Sequence, residues 1–131
     1  KELTLADSLL KQNNIEANLD AYTISEILIN EDSTQGDFYC LRGMAYFQRA
    51  KFQNNSKEIL DKSQKDLKKA TSSTNINIDY IARAYMTISD IFLLNHDLQN
   101  ADRAIKRALR ANKRIDGVID KLKNINKIKL Q

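Results

Sequence analysis

The chain has no proline, no tryptophan, three glycines, one cysteine and one histidine among its 131 residues. Each scarcity excludes something. With no proline and so little glycine there is little from which to build the tight turns of a many-stranded β fold. Leu, Ile, Ala, Lys and Asn make up much of the rest, and of these Ala, Leu and Lys favour helices. One cysteine permits no intrachain disulfide and leaves the redox compartment unconstrained. Cys40 and the only histidine, His96, lie far apart in sequence. Alone they make no metal site, which needs several converging N or S ligands, and nothing in their spacing pairs them as nucleophile and base. No glycine-rich phosphate loop and no His-Glu-x-x-His segment occurs. The longest apolar candidate, Ile88 to Leu94, is broken by Ser89 and Asp90 and falls far short of the roughly 20 residues of a membrane span. The expectation is a non-enzyme with no cofactor and no metal.

What is present is helical periodicity. A chain of this length suits one domain over residues 1–131, which buries roughly two thirds of its unfolded surface. Apolar residues three and four apart predict an all-α fold with seven helices, at about 2–12, 15–30, 37–52, 57–71, 79–94, 98–112 and 115–129. Asp37 and Asp97 stand where a carboxylate caps free amides, and Thr71 to Thr74 form a polar loop cluster. Aspartates and glutamates on the helix faces, Asp90 included, read as surface charges.

One spacing repeats. Tyr85, Ile88, Ser89 and Phe92 are followed by Ala101, Ile105 and Ala108; upstream, Tyr39, Arg42, Gly43 and Tyr46 are followed by Ser63, Leu67 and Ala70. A weaker copy without an aromatic runs through Leu3, Leu5, Ala6, Leu9 and Leu10, then Ala17, Ala21, Ile24 and Leu28. The pattern resembles the tetratricopeptide repeat (TPR) family. The resemblance implies a right-handed superhelix of antiparallel hairpins, about three repeats at 2–30, 37–71 and 79–112. Gly43 and Ser89 would sit where the second helix of each hairpin comes closest. The family's usual proline is missing. Gly43 to Ser63 is eight residues longer than Ser89 to Ala101, so an insertion is expected near Lys51 to Lys57, and the linker Thr71 to Ile78 is also longer than the family norm.

The last predicted helix has one apolar face, Ile115, Val118, Ile119, Leu122 and Ile125, and one rich in lysine. The repeat register puts Ile119 and Leu122 at packing positions and Lys123 where Gly43 and Ser89 stand, leaving no room for a further helix. Residues 115–129 therefore read as a cap over the last exposed core, with Gly117 in the first turn. Charge is uneven. From Arg103 onward ten lysines and arginines stand against Asp116 and Asp120. Arg103, Arg107, Arg110 and Arg114 fall three or four apart and form one basic stripe, which the resemblance puts on the outer, convex wall.

The same resemblance makes the first helices of successive hairpins the walls of a concave groove, lined by Cys40, Met44, Phe47, Gln48, Arg83, Met86, Asp90 and Leu93. Cys40, Leu41, Met44 and Thr87 stand where the carboxylate-clamp subfamily needs Lys and Asn, with only Arg83 in keeping, so a chaperone-tail cochaperone is not expected. The leading expectation is a protein-interaction scaffold that holds a segment of a partner protein or peptide in the groove. The alternative is a module that docks its basic carboxy-terminal third on an anionic membrane surface or acidic polymer. Nucleic acid is disfavoured, because the basic stretch contains no aromatic to stack on bases. Richness in Lys, Asn and Ile resembles bacterial proteins in which small TPR chains serve in envelope assembly. The expected location is accordingly the periplasm or envelope rather than the cytoplasm, with a lipid anchor before Lys1 as one route to the membrane.

Overall fold

Apolar residues at helical spacing, uninterrupted by proline, give seven helices and no strand in the computed structural model, which describes residues 1–131. They are α1 (Glu2–Gln12), α2 (Ile15–Glu31), α3 (Gly36–Phe52), α4 (Lys57–Thr71), α5 (Ile78–Leu94), α6 (Leu98–Ala111) and α7 (Val118–Lys129). Side-chain oxygens cap three of them: Asn14 accepts from the Ala17 amide, Asn77 from Asp79 and Asp97 from Asn100. Asp37 is not a cap. It lies in the first turn of α3, and its carboxylate accepts the Asn77 amide at 2.8 Å, tying that turn to the start of α5. No helix is long and apolar enough to cross a membrane.

The last helix starts later than its apolar pattern predicts. Gly117 takes φ 86°, a left-handed conformation that ends any continuous helix through 115–117, so α7 begins at Val118 and Ile115 belongs to the preceding loop. Ile119, expected to pack, is exposed at 44%, while Val118 and Ile125 are fully buried.

Every helix packs on its neighbour in the chain, and α3 also touches both α1 and α5. Small residues set how closely they approach. A Cβ on Gly43 would stand 2.7 Å from Leu67 Cδ2 and 3.3 Å from the Ser63 carbonyl oxygen. The Ser63 hydroxyl donates across to the Gly43 carbonyl at 2.6 Å. Between α5 and α6 the roles reverse: the Ser89 hydroxyl donates to the Ala101 carbonyl at 2.8 Å. Ala6 and Ala21, both fully buried, belong to the core that α1 and α2 share with Leu28 and Leu41. Tyr39, Phe47, Leu67, Ile88 and Ile91 centre the largest apolar cluster, and Met86, Ile105, Val118 and Ile125 join α5, α6 and α7 in another.

Seven of the eight inserted residues are helix, and one lengthens the turn. α3 continues nine residues past Gly43 where α5 continues five past Ser89, and α4 begins six before Ser63 where α6 begins three before Ala101. The extra residues lengthen both helices by about one turn each. The long linker after α4 folds back over the start of α3: the Gly36 amide donates to the Asn75 carbonyl at 2.8 Å, and a Cβ on Gly36 would meet Ile76 at 2.8 Å.

Because the Gly43 contact is against a fully buried leucine and a backbone oxygen, Gly43→Ala should lower the unfolding free energy by about 1–3 kcal/mol. Urea denaturation followed by circular dichroism measures this. An unchanged midpoint would show that the crossing has slack.

Candidate functional site

The face formed by α1, α3 and α5 is where the expected groove residues come together, and Asp7 of α1 organises it. Its two carboxylate oxygens accept both terminal nitrogens of Arg83, each at 3.0 Å, and Tyr80 donates its hydroxyl to the same carboxylate at 2.7 Å. This forked pair holds α1 against α5, and the Arg83 guanidinium lies 5.0 Å from the Tyr80 ring centre. Burial, and then the hydrogen bond to Asp7, push the Tyr80 hydroxyl well above its ordinary range. At the other end, Lys121 of α7 reaches Asp90 of α5 at 2.9 Å.

Between these ion pairs runs a cleft of about 350 Å³ with Met44, Met86 and Thr87 on its floor and Ile115 and Lys121 at its far wall. It continues into a second hollow of about 260 Å³, bounded by Phe47, Gln48 and Lys51, and Asp7, Lys11 and Met44 line both. Lys11 and Lys51 are exposed on its rim and make no ion pair, although the Lys51 ammonium stands 4.6 Å over the Phe47 ring.

Six of the eight expected groove residues border this cleft, though not as a free surface. Met44 is half-buried; Phe47 and Met86 are each 9% exposed and belong to the core. Gln48 is engaged, donating to the Leu10 carbonyl at the end of α1 and accepting from Asn18. Arg83 and Asp90 are the two paired charges. Cys40 does not line the cleft. It is fully buried where α3 meets α5, its thiol donating to the Tyr80 carbonyl, and burial raises its pKa far above that of a reactive thiol. Leu93 does not line it either, packing on the cluster shared with α6 and α7. His96 is exposed in the turn between α5 and α6 with φ 58°.

The sequence reading missed Asp7, Lys11, Lys51 and Lys121 as cleft residues. One signal was available for Asp7. It follows Ala6 as Met44 follows Gly43 and Asp90 follows Ser89, so all three hold the position after the small crossing residue. Extending the register to the weak first copy finds it. Two carboxylates read as surface charges are buried instead. Asp66 takes both Nε and Nη2 of Arg42, at 2.7 and 2.9 Å, while Glu26 takes Nη1 at 2.7 Å. Asp102 meets Lys106 and Lys129, each at 2.9 Å, and these lysines, led by Lys106, hold its carboxyl below the usual range.

Arg103, Arg107, Arg110 and Arg114 are exposed along and just beyond α6 and touch no carboxylate, unlike Arg42 and Arg83. Aromatics absent from the basic stretch are supplied by another helix: Tyr85 and Phe92 of α5 line a hollow with Arg103 and Arg107. No protein-family model matches the chain, and neither a curated protein nor a solved structure does so.

Tyr80 and Tyr22 both have raised pKa values, Tyr22 chiefly through its hydrogen bond to Glu26. A group of this kind stabilises the fold fully below its unfolded pKa, about 10 for tyrosine, and the contribution is lost as pH rises through the folded value. Titration at 295 nm should show two of the five tyrosines ionising only as the chain unfolds. Tyr80→Phe should leave one such late tyrosine and flatten the alkaline fall in stability. Simultaneous ionisation of all five in the folded protein would contradict the Asp7–Tyr80 geometry.

Proposed function

We propose that the chain is a protein-binding scaffold of TPR type: three antiparallel hairpins, α1–α2, α3–α4 and α5–α6, in a right-handed superhelix capped by α7. The concave cleft holds a segment of a partner protein. Support for the architecture comes from the packing order, in which each helix touches the next and α1, α3 and α5 touch in series. Reciprocal serine-to-carbonyl bonds at the two repeated crossings add to it. An antiparallel pairing brings Gly43 against Ser63 and Ser89 against Ala101, each pair joined through a short turn.

The observation that carries the functional reading is the cleft floor. Met44, Met86 and Thr87 offer an adaptable, largely apolar seat between two ion pairs that tie its walls together. Lys11 and Lys51 have no carboxylate of their own chain and stand at one end. The segment that suits this cleft carries an apolar anchor side chain with an acidic residue beside it. Cys40, being core, takes no part, and Phe47 and Met86 act through the shape of the floor.

A peptide-display selection on the immobilised full chain tests this. Peptides combining an apolar anchor with an adjacent carboxylate should emerge. Lys11→Glu, an exposed change that leaves the core intact, should weaken their binding by about tenfold. Met44→Lys should abolish it, and Arg107→Glu should leave it unchanged. Selected peptides indifferent to both Lys11→Glu and Met44→Lys would overturn the cleft as the binding site.

A further inference from the structure

The repeat offers an internal comparison. Arg42 and Tyr46 of α3 correspond in register to Ile88 and Phe92 of α5. In the copy that begins with α3 the valley above that helix is filled from within. Glu26 of α2 and Asp66 of α4 close on Arg42 from both sides; the Tyr22 ring lies tilted 5.3 Å from that of Tyr46, and Arg49 lies 4.4 Å over the Tyr22 ring. The second valley, between α4 and α6, is open. Its floor is Tyr85, Ile88 and Phe92, and its hollow measures about 240 Å³. Its rim carries Lys68 from α4 and Arg103 and Arg107 from α6. None of the three cations has a carboxylate partner. The polarity is reversed: where the first valley has a central cation held by flanking carboxylates, the second has an apolar centre flanked by cations that no anion meets.

The chain also holds the complement of that valley. α2 is apolar on two sides, one turned to the core and one outward. Ile15, Leu19 and Ile27 are exposed at 60, 48 and 49%. Together with Thr23 they fall four residues apart, so they form one ridge about 18 Å long. Glu16, Asp20 and Glu31 are exposed on the same helix and belong to none of the chain's ion pairs. A helix apolar on its outer face is one that lacks a partner.

We infer that the acidic, apolar ridge of α2 in one copy of the chain seats in the basic, aromatic-floored valley between α4 and α6 of a second copy. Leu19 and Ile27 cover Ile88 and Phe92, and Glu16, Asp20 and Glu31 supply the anions that Lys68, Arg103 and Arg107 lack. This is helix-in-groove recognition with charge complementarity at the rim. Ridge and valley are different surfaces, so the contact is heterologous, and each copy retains one free ridge or valley for a further copy. The inference is independent of the cleft reading, since no cleft residue takes part.

Sedimentation velocity of the full chain over a wide concentration range tests it. Association should grow with concentration and weaken with salt, because the rim charges are exposed. Arg103→Glu with Arg107→Glu, and separately Glu16→Lys with Asp20→Lys, should each weaken self-association by about tenfold or more. All four positions are exposed, so circular dichroism should remain that of the parent. An equal mixture of the two double variants should associate again, since each then offers the other a complementary surface. Three outcomes overturn the inference: a chain monomeric at every concentration in low salt, two variants whose mixture stays monomeric, and self-association that neither variant disturbs. If the monomeric chain instead binds phosphatidylglycerol vesicles or oligothymidylate, with loss in the Arg103 and Arg107 variant, the valley faces a membrane or a nucleic acid rather than a second copy.

Discussion

The spacing between helices is the constraint on which the other features depend. At Gly43 even a methyl group would force Leu67 to shift, since a Cβ would stand 2.7 Å from its Cδ2 and 3.3 Å from the Ser63 carbonyl oxygen. At Ser89 and Ala101 the smallest side chains leave the hydroxyl and carbonyl 2.8 Å apart. Close approach lets the apolar residues flanking each crossing interdigitate, where a buried leucine or isoleucine contributes about 1.5–3 kcal/mol. Between these pairs the contact runs from α1 to α3 to α5, and across it the Asp7 carboxylate of α1 reaches the Arg83 guanidinium of α5.

Much of the fold was legible because helix formation is local. The apolar period, the absence of proline and the polar breaks at Asn13–Asn14, Ser72–Asn77 and Asn95–Asp97 are properties of neighbouring residues, and the helix ends follow them. The departures arise where a distant residue competes. Asp37 had the chemistry of a cap, yet the linker ahead of α5 approaches it and takes its oxygen. Gly117 adopts a left-handed backbone that only the turn into α7 requires, which moves Ile115 out of the helix. The expected insertion was correct in length, but sequence spacing alone does not distinguish a longer loop from two longer helices.

The candidate cleft was legible in position and misread in detail, for a physical reason. Register tells which face of a helix a residue occupies; how deep that face lies depends on the neighbour that covers it. Cys40 and Met86 hold the same register position, and both are buried, but by different neighbours: α5 covers Cys40, while α6, α7 and the Gly117 turn cover Met86. Met44 and Asp90, one step round from Gly43 and Ser89, look into the open space instead. Charges were misread for the same reason: Asp66 and Asp102 are polar by type, but each is covered by a neighbouring helix and sustained there by cations, Arg42 of α3 for Asp66 and Lys106 of its own helix with Lys129 of α7 for Asp102.

Arginine placement then separates the two ends of the molecule. Arg42 and Arg83 are paired within the chain with carboxylates and Arg49 lies over the Tyr22 ring, and together they tie α2, α3, α4 and the cleft wall to one another. Planar guanidinium suits such half-buried sites, since it stacks and forks where an ammonium makes only a point contact. The four arginines from Arg103 onward meet no carboxylate, and of them only Arg107 lies over a ring, 5.7 Å from the Tyr85 centre. They are held in a row by α6, and α6 is itself pinned by Asp102 meeting Lys129 of α7. A row of cations fixed on a rigid helix, rather than on a loop, loses little conformational freedom when an anionic surface arrives. The interior ion pairs hold α7 on α6 and α1 on α5, so the elements that border the cleft are fixed to one another by the chain's own charges.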